Sequence, residues 1–268
     1  HTIVDNCACQ EGKGAHFALN RFERKLKEYV RQNGVNGYFL KCDILKYFPS
    51  MPHKLLAHTI CKHIKDEKIK KVVGDIIDSY HTSEVFLNKY GIESYSADPI
   101  KTGRGIPIGN QTSQVFGMYY LDKVDRLVKE RLRIKVYSRY MDDFVLLHRD
   151  LQVVKDALEE IKKVVKQLGL YLNDKTQIFP IKNGVTYLGF RFILTEDGRV
   201  IKTVKKATKR RLRWRAKLVK KAYLDRSIPI ERVNCSLAAF HGHLTHAHCH
   251  DFERELNRRL TFEDRGKK

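Results

Sequence analysis

The chain has 268 residues, 42% of them apolar, which is too apolar for disorder and long enough for one large domain or two smaller ones with a real core. No apolar run approaches a membrane span, and the opening "HTIVDNCACQEGKG" lacks a basic start followed by an apolar core, so a cytoplasmic protein with no membrane partner is expected. Lys and Arg number 52 against 31 Asp and Glu, a net charge of +21 that points to a polyanion, most simply nucleic acid, rather than to solubility alone or an anionic membrane surface.

In chain order, residues 17–32 place Ala18, Phe22, Leu26 and Tyr29 on one helical face, with Asn33-Gly34 as the stop. "GYFLKCD" alternates like a strand and ends on Asp43. Helical segments follow at about 52–64 and 68–80, then the punctuated loop "ADPIKTGRGIPIGN", whose glycines let backbone approach a ligand. Residues 113–132 read as one helix, and "RIKVYSRY" and "DFVLLHR" as two strands with Met141-Asp142 at the turn. An amphipathic helix spans 151–168, with Val154, Leu158, Ile161, Val165 and Leu168 on one face and Gly169 at its end. "DKTQIFPI" is a further strand, "VTYLGFRFIL" and "RVIKTV" form a hairpin around Asp197-Gly198, and the remainder is basic and helical.

The order strand, helices, strand, strand, helix, strand between 37 and 180 is the split βαβ, ferredoxin-like pattern, so the fold class is α+β. In that pattern the first strand lies beside the hairpin of the next two, and Asp43 faces the turn that carries Asp142 and Asp143. Adjacent carboxylates between apolar runs repel each other and are costly to desolvate without a cation. Three carboxylates at one point suit hard divalent cations such as Mg²⁺. Two such ions, about 3.5–4 Å apart, can drive phosphoryl transfer. The alternative, that these are ordinary turn aspartates, explains Asp142 and Asp143 but not their agreement with Asp43.

Other features carry two readings each. From Arg199 to Lys221 there are 12 Lys or Arg and no acid, with Trp214 among them either to stack on a base or to anchor a helix. Lys205, Lys206, Arg210 and Arg213 are the candidate phosphate contacts. His243, His246 and His250 would share a helical face beside Cys249; a surface helix on a nucleic-acid duplex is preferred to a zinc site. The six cysteines include no C-x-x-C pair and fit free thiols in a reducing compartment.

"YMDD" at 140–143, with "CDILKYF" around Asp43, resembles the palm of a reverse transcriptase. The resemblance continues in order: "GRGIPIGNQTSQ" (103–114) is similar to the segment under the incoming nucleotide, "LGLYLNDKT" (168–176) to the segment whose lysine, here Lys175, approaches the triphosphate, and "YLGFRF" (187–192) to the primer-gripping hairpin with Tyr187 and Gly189. It implies a right-hand polymerase with partial fingers at 1–36, a palm at 37–198 and a helical thumb at 199–268, the first fingers segments lying upstream. It implies RNA-directed DNA synthesis from deoxynucleoside triphosphates on an RNA template, an RNA–DNA duplex as product, and two Mg²⁺ ions for which Mn²⁺ can substitute. Asp43 and Asp142 would bridge both ions, Asp143 would be the more peripheral ligand, and the Ile44 carbonyl would assist.

The same resemblance gives Phe48 the role of a steric gate against a 2′-hydroxyl, compatible with core packing. Lys175 would stabilise or protonate the leaving pyrophosphate, against a reading as one more surface lysine. Lys13 stands in for an arginine often found at Gln10, and Arg104 is a weaker substrate-binding candidate. Where many relatives have Pro-Gln-Gly, this chain has Pro107-Ile108-Gly109, followed by Ser113-Gln114. That pattern, with "CACQEGKGAH" and "FHGHLTHAH", resembles the reverse transcriptases of diversity-generating retroelements. It implies errors at template adenines, a small basic accessory protein, and a bacterial or phage-infected cell. Group II intron-like and retron-type enzymes are the rivals, with an inactive RNA-binding relic as the rival of another class.

Overall fold

A computed structural model describes residues 2–261, and the chain divides into two compact units, one ending at Ile181 and the other beginning at Lys182. The first unit opens with helix α1 (Ala15–Asn33), which buries Ala18, Phe22, Leu26 and Tyr29 as its periodicity predicts. It stops where Gly34, at φ 62°, returns its N–H to the Val30 carbonyl. Strand β1 (Tyr38–Cys42) leads into α2 (Tyr47–Ser50), α3 (His53–Cys61), α4 (Glu67–Asp78) and α5 (Glu84–Lys89). The Gly-rich loop then reaches α6 (Gln111–Tyr120) and α7 (Asp122–Arg126), followed by a π-helical turn at Leu127–Arg131. Strands β2 (Val136–Tyr140) and β3 (Asp143–His148), helix α8 (Leu151–Gln167) and strand β4 (Gln177–Pro180) complete the unit.

The sheet order is β2-β3-β1-β4, with every neighbouring pair antiparallel, which is the expected ferredoxin-like arrangement. One core joins Leu40, Phe144 and Leu146 of the sheet to Val154, Ala157, Ile161 and Val165 of α8. The single helix expected over 113–132 is broken into α6, α7 and the π turn. Long-range bonds account for the break: the Tyr120 hydroxyl donates to the Leu168 carbonyl, and buried Asp125 accepts from Tyr137 and Arg139. Bonds to residues this far away leave no mark on local periodicity.

The second unit holds β5 (Val185–Tyr187), β6 (Phe190–Leu194) and β7 (Val200–Val204) in one sheet of order β5-β6-β7, followed by α9 (Lys206–Leu224), α10 (Ile230–Leu244) and α11 (His250–Leu260). "VTYLGFRFIL", expected as one strand, is itself a hairpin. Leu188 and Gly189, at φ 46° and 87°, turn the chain so that Val185 pairs with Phe192. The expected boundary after 198 would cut the β6–β7 ladder, which runs from Phe190↔Val204 to Leu194↔Val200, so the compact division falls earlier in the chain, after Ile181.

Candidate active site

The β1–β3 register pairs Cys42 with Phe144, so the next position along sets Asp43 opposite Asp143. Tyr140 pairs with Asp143 across β2 and β3, leaving Met141 and Asp142 as a two-residue turn with Met141 at φ 56°. Arg139 holds this turn from inside. Its guanidinium is fully buried, donates to the carbonyls of Met141 and Met118 at 2.9 Å each, and is ion-paired with fully buried Asp125. The edge of β2 is closed by the N-terminal segment: Arg139 N–H donates to the Asp5 carbonyl and Cys7 N–H to the Arg139 carbonyl, both at 3.0 Å.

With Arg139 committed to Asp125, the three carboxylates are left with little compensating charge. Burial pushes the Asp142 carboxyl up to about 6, and the charges of Asp43 and Asp143 add to the effect. The same two charges add to the burial that raises the Cys42 thiol. Lys41 Nζ lies 3.3 Å from both Asp143 oxygens, and Asp43 Oδ2 accepts from Asn173 Nδ2 at 3.1 Å. The convergence is therefore one of backbone positions. Among the described residues no three His, Cys, Asp or Glu side chains gather at ligand spacing, because the outer carboxylates turn to other donors. The donors are carboxylate oxygens, with Asp142 destabilised as an anion, and such a set fits a hard divalent cation. Asp43, Asp142, Asp143 and the Ile44 carbonyl are the groups that would hold such an ion; the backbone bridge there uses the carbonyl of Asp43, which accepts from Asn173 N–H at 2.8 Å.

Asn173 is a residue that sequence reasoning missed. Besides both bonds to Asp43, its Oδ1 accepts the Lys175 N–H at 3.1 Å and its carbonyl accepts the Thr176 N–H at 2.8 Å. One side chain thus ties the β1 carboxylate to the turn that carries exposed Lys175. The signal available was the Asn two residues before that lysine, the pattern of an Asx turn. Phe48 is half-buried and stacks edge-on against Tyr47, with ring centroids 5.5 Å apart. Both rings press on Gly117 of α6, where a Cβ would meet each at 3.3 Å, and the Tyr47 hydroxyl donates to the Gly117 carbonyl.

Ile108 is 79% exposed, so packing does not account for it. Gly109, at φ 103°, has open space where a Cβ would stand, Gln114 is also exposed, and the Cys9 thiol donates to Gln114 Oε1 at 3.6 Å. Gly105, in contrast, is closed: a Cβ there would meet Thr82 Oγ1 at 2.2 Å. Lys13 donates to Gln10 Oε1 at 2.7 Å. Arg104 is corrected from a substrate-binding candidate to a structural clamp. It is 1% exposed, donates to the carbonyls of Ser50, Glu93 and Gly169, and stacks on Tyr95. Desolvating a guanidinium is tolerable only when its donors are used, and here carbonyls use them.

Within the second unit Tyr187 is fully buried, which corrects its reading as a nucleic-acid contact, while Gly189 forms the β5–β6 turn. Arg213 is likewise corrected: its guanidinium is bidentate to Glu255 at 2.8 Å and sits over the Phe252 ring, bracing α9 against α11. Lys205, Lys206 and Arg210 are exposed, and Trp214 is 61% exposed, which excludes the buried-anchor reading. The histidines are otherwise engaged, His241 with Glu253, His243 against Phe190 and His248 Nδ1 with the Lys202 N–H. All six cysteines are free thiols.

A four-stranded antiparallel sheet packed against helices, with carboxylates at the β2–β3 turn, is the palm of a right-hand polymerase. The chain belongs to the family described as reverse transcriptase (RNA-dependent DNA polymerase), whose model matches residues 3–192. It is 23% identical over 215 residues to protein YkfC of Escherichia coli (strain K12), covering 68% of this chain and 53% of that protein. It is also 23% identical over 203 residues to the putative COX1/OXI3 intron 2 protein of Saccharomyces cerevisiae, covering 58% of this chain and 23% of that one. The chain thus spans about half or less of the length of these relatives. Apo telomerase of Candida tropicalis, truncated from its C-terminal domain, shares the fold with a TM-score of 0.51 at 14% identity, over 72% of this chain and 40% of that one. Telomerase of Candida albicans, solved with a telomeric RNA fragment, gives 0.50 at 14% identity, over 96% and 47%. No helix among the described residues is long and apolar enough to cross a membrane.

Proposed function

We propose that the chain is an RNA-directed DNA polymerase that extends a primer 3′ end on an RNA template with deoxynucleoside triphosphates. The observation that supports this most is the Asp142 carboxyl, pushed up to about 6 by burial and by the charges of Asp43 and Asp143 at the turn. Two Mg²⁺ ions, with Mn²⁺ as a substitute, held by Asp43, Asp142, Asp143 and the Ile44 carbonyl would supply the Lewis-acid chemistry of nucleotidyl transfer. Phe48, backed by Gly117, presents a ring that a ribose 2′-hydroxyl would strike. Asn173 holds Lys175 in register with Asp43, so that its ammonium can meet the charge of the departing pyrophosphate. Lys205, Lys206, Arg210 and Trp214 offer a basic and aromatic face to the RNA–DNA duplex. Asp142→Ala should reduce primer extension at least about a thousandfold, a loss of roughly 4 kcal/mol of transition-state stabilisation, with RNA binding retained. Full extension by that variant overturns the assignment.

The finer reading is a diversity-generating retroelement enzyme of a bacterial or phage-infected cytoplasm, working with a small basic accessory protein. Ile108 supports it: an apolar side chain stands exposed in the segment that the resemblance sets under the incoming nucleotide, where many relatives carry Gln, so it can pack but cannot hydrogen-bond a sugar or base. Each 1.4 kcal/mol or so of lost discrimination is about tenfold in error. Sequencing cDNA made by wild type and by Ile108→Gln should show adenine-directed errors falling in the variant. Equal, low error rates favour the second reading, an intron-type enzyme, which rests on the identity to the yeast intron 2 protein.

A further inference from the structure

The end of the β2–β3 hairpin opposite the carboxylates opens on a cavity of about 310 Å³, floored by α1 and rimmed by the segments before β2 and after β3. Its charge is the inverse of the active site's. Arg133, Lys135 and Arg149 are exposed on its rim, and among the described residues none of them is ion-paired. Glu28 is the single carboxylate on the lining. Beneath it lies a second cationic excess: Asp5 takes Arg21 at 2.7 Å, Lys25 at 2.5 Å and Lys129 at 3.5 Å, three cations on one carboxylate.

The rim is built rather than loose. Lys129 Nζ donates to the carbonyls of Ile134 and Lys135 at 3.0 and 3.1 Å, which pins the segment carrying Arg133 and Lys135. Arg133 sits at φ 54°, a left-handed conformation that costs a side-chain-bearing residue of order 1 kcal/mol and that glycine would adopt freely. The Tyr29 hydroxyl is anchored on the Asn36 carbonyl at 2.6 Å, fixing one wall. Like charges crowded this way repel each other, and the potential focused in such a concavity favours an anion.

We infer that this cavity is a phosphate-binding site, separate from the catalytic carboxylates, in which Arg133, Lys135 and Arg149 take a phosphate group. Guanidinium forks suit phosphate oxygens, and three unpaired cations match a phosphate better than a single carboxylate. The volume admits a phosphate with its sugar but not a duplex. Strand β3 spans six residues, so the two sites stand about 17 Å apart along it. The phosphate belongs either to an RNA strand passing the back of the palm or to a free nucleotide or pyrophosphate. The RNA arm rests on the polymerase reading above; primer extension tests that reading and salt-dependent binding tests this one, so each can fail alone.

The experiment compares wild type, the triple variant Arg133→Ala, Lys135→Ala, Arg149→Ala, and a control of equal charge change on the exposed Lys62, Lys65 and Lys68. Equal melting temperatures confirm that all three fold. Binding is measured across a salt series, on an RNA–DNA duplex with a long single-stranded RNA tail and on a short blunt duplex. ATP and pyrophosphate are titrated calorimetrically. For an RNA source, the triple variant lowers the log–log salt slope on tailed RNA by roughly 0.7 per lost phosphate contact, with the blunt duplex and the control unchanged. For a free-phosphate source, ATP or pyrophosphate binds wild type and the control but binds the triple variant at least tenfold more weakly. An equal fall in the control, an equal fall on both duplexes, or no difference in any arm overturns the site.

Discussion

The two ends of the β2–β3 hairpin are electrostatic opposites on one apolar ribbon. At the Met141-Asp142 turn, three carboxylates face one lysine, and the nearby Arg139 is spent on Asp125. At the far end, Arg133, Lys135 and Arg149 face one glutamate. Between them Val136, Tyr137, Phe144, Val145 and Leu146 are buried. The hairpin between them is covered on both faces, and the one charge buried within it, Arg139, is neutralised by Asp125, so the unpaired charge gathers at the two ends. The difference teaches that a protein of net +21 need not be uniformly basic where it works. The acid end is held in place by an internal ion pair, and the basic end by backbone carbonyls bound to Lys129.

Breaking the internal ion pair should have the largest effect. Arg139→Met leaves Asp125 charged and buried and frees the Met141 carbonyl, so stability should fall by about 3–5 kcal/mol, a drop in melting temperature of roughly 10 °C for a chain of this size. Calorimetric melting checks it. The double variant Arg139→Met with Asp125→Leu should recover most of the loss, and a double variant as unstable as the single one would mean that the pair does more than neutralise itself.

The acid end itself is sharpened by pH. Because the folded Asp142 pKa lies near 6, above its ordinary 3.8, the folded state holds a proton that the unfolded chain has released between those values. Stability from this group is therefore full below about pH 4 and is lost as pH rises through 6, a cost of at most about 3 kcal/mol. In EDTA, Asp142→Asn should melt above wild type at pH 7.5, and the gain should vanish near pH 4. Mg²⁺ should raise the melting temperature of wild type at pH 7.5 and leave the variant nearly unmoved. An Asp142→Asn advantage that persists at pH 4 would assign the effect to packing.

The smallest effect is expected from the link beside that end. Asn173→Ala removes the side-chain bonds to Asp43 and Lys175 but keeps the backbone pairing, so turnover should fall by about tenfold, near 1.4 kcal/mol, with little change in melting. Measuring nucleotide KM and kcat separately decides it: a fall in kcat alone fits positioning of Lys175, and a rise in KM alone would place Asn173 in nucleotide binding instead.

Much of this was legible without coordinates. The alternation of "GYFLKCD", the doubled aspartate between apolar runs and the periodic face of 151–168 determined the strand order, because each rests on which face of an element is apolar, and that is a local property. Asp43 at a strand end and Asp142 at a turn followed from the same patterns. What tertiary structure alone decided is which polar groups are spent internally. Arg104 and Arg213 look like any other arginine in the sequence, yet one is consumed by three carbonyls from distant segments and the other by Glu255. Tyr187 is consumed by burial, and Asn173 was an unmarked turn residue until its side chain met Asp43 across 130 positions. The basic cavity is of the same kind: Arg133, Lys135 and Arg149 are scattered charges until the hairpin brings its two ends of chain together. A side chain's partners are set by packing between segments far apart in sequence, and no local pattern encodes that distance.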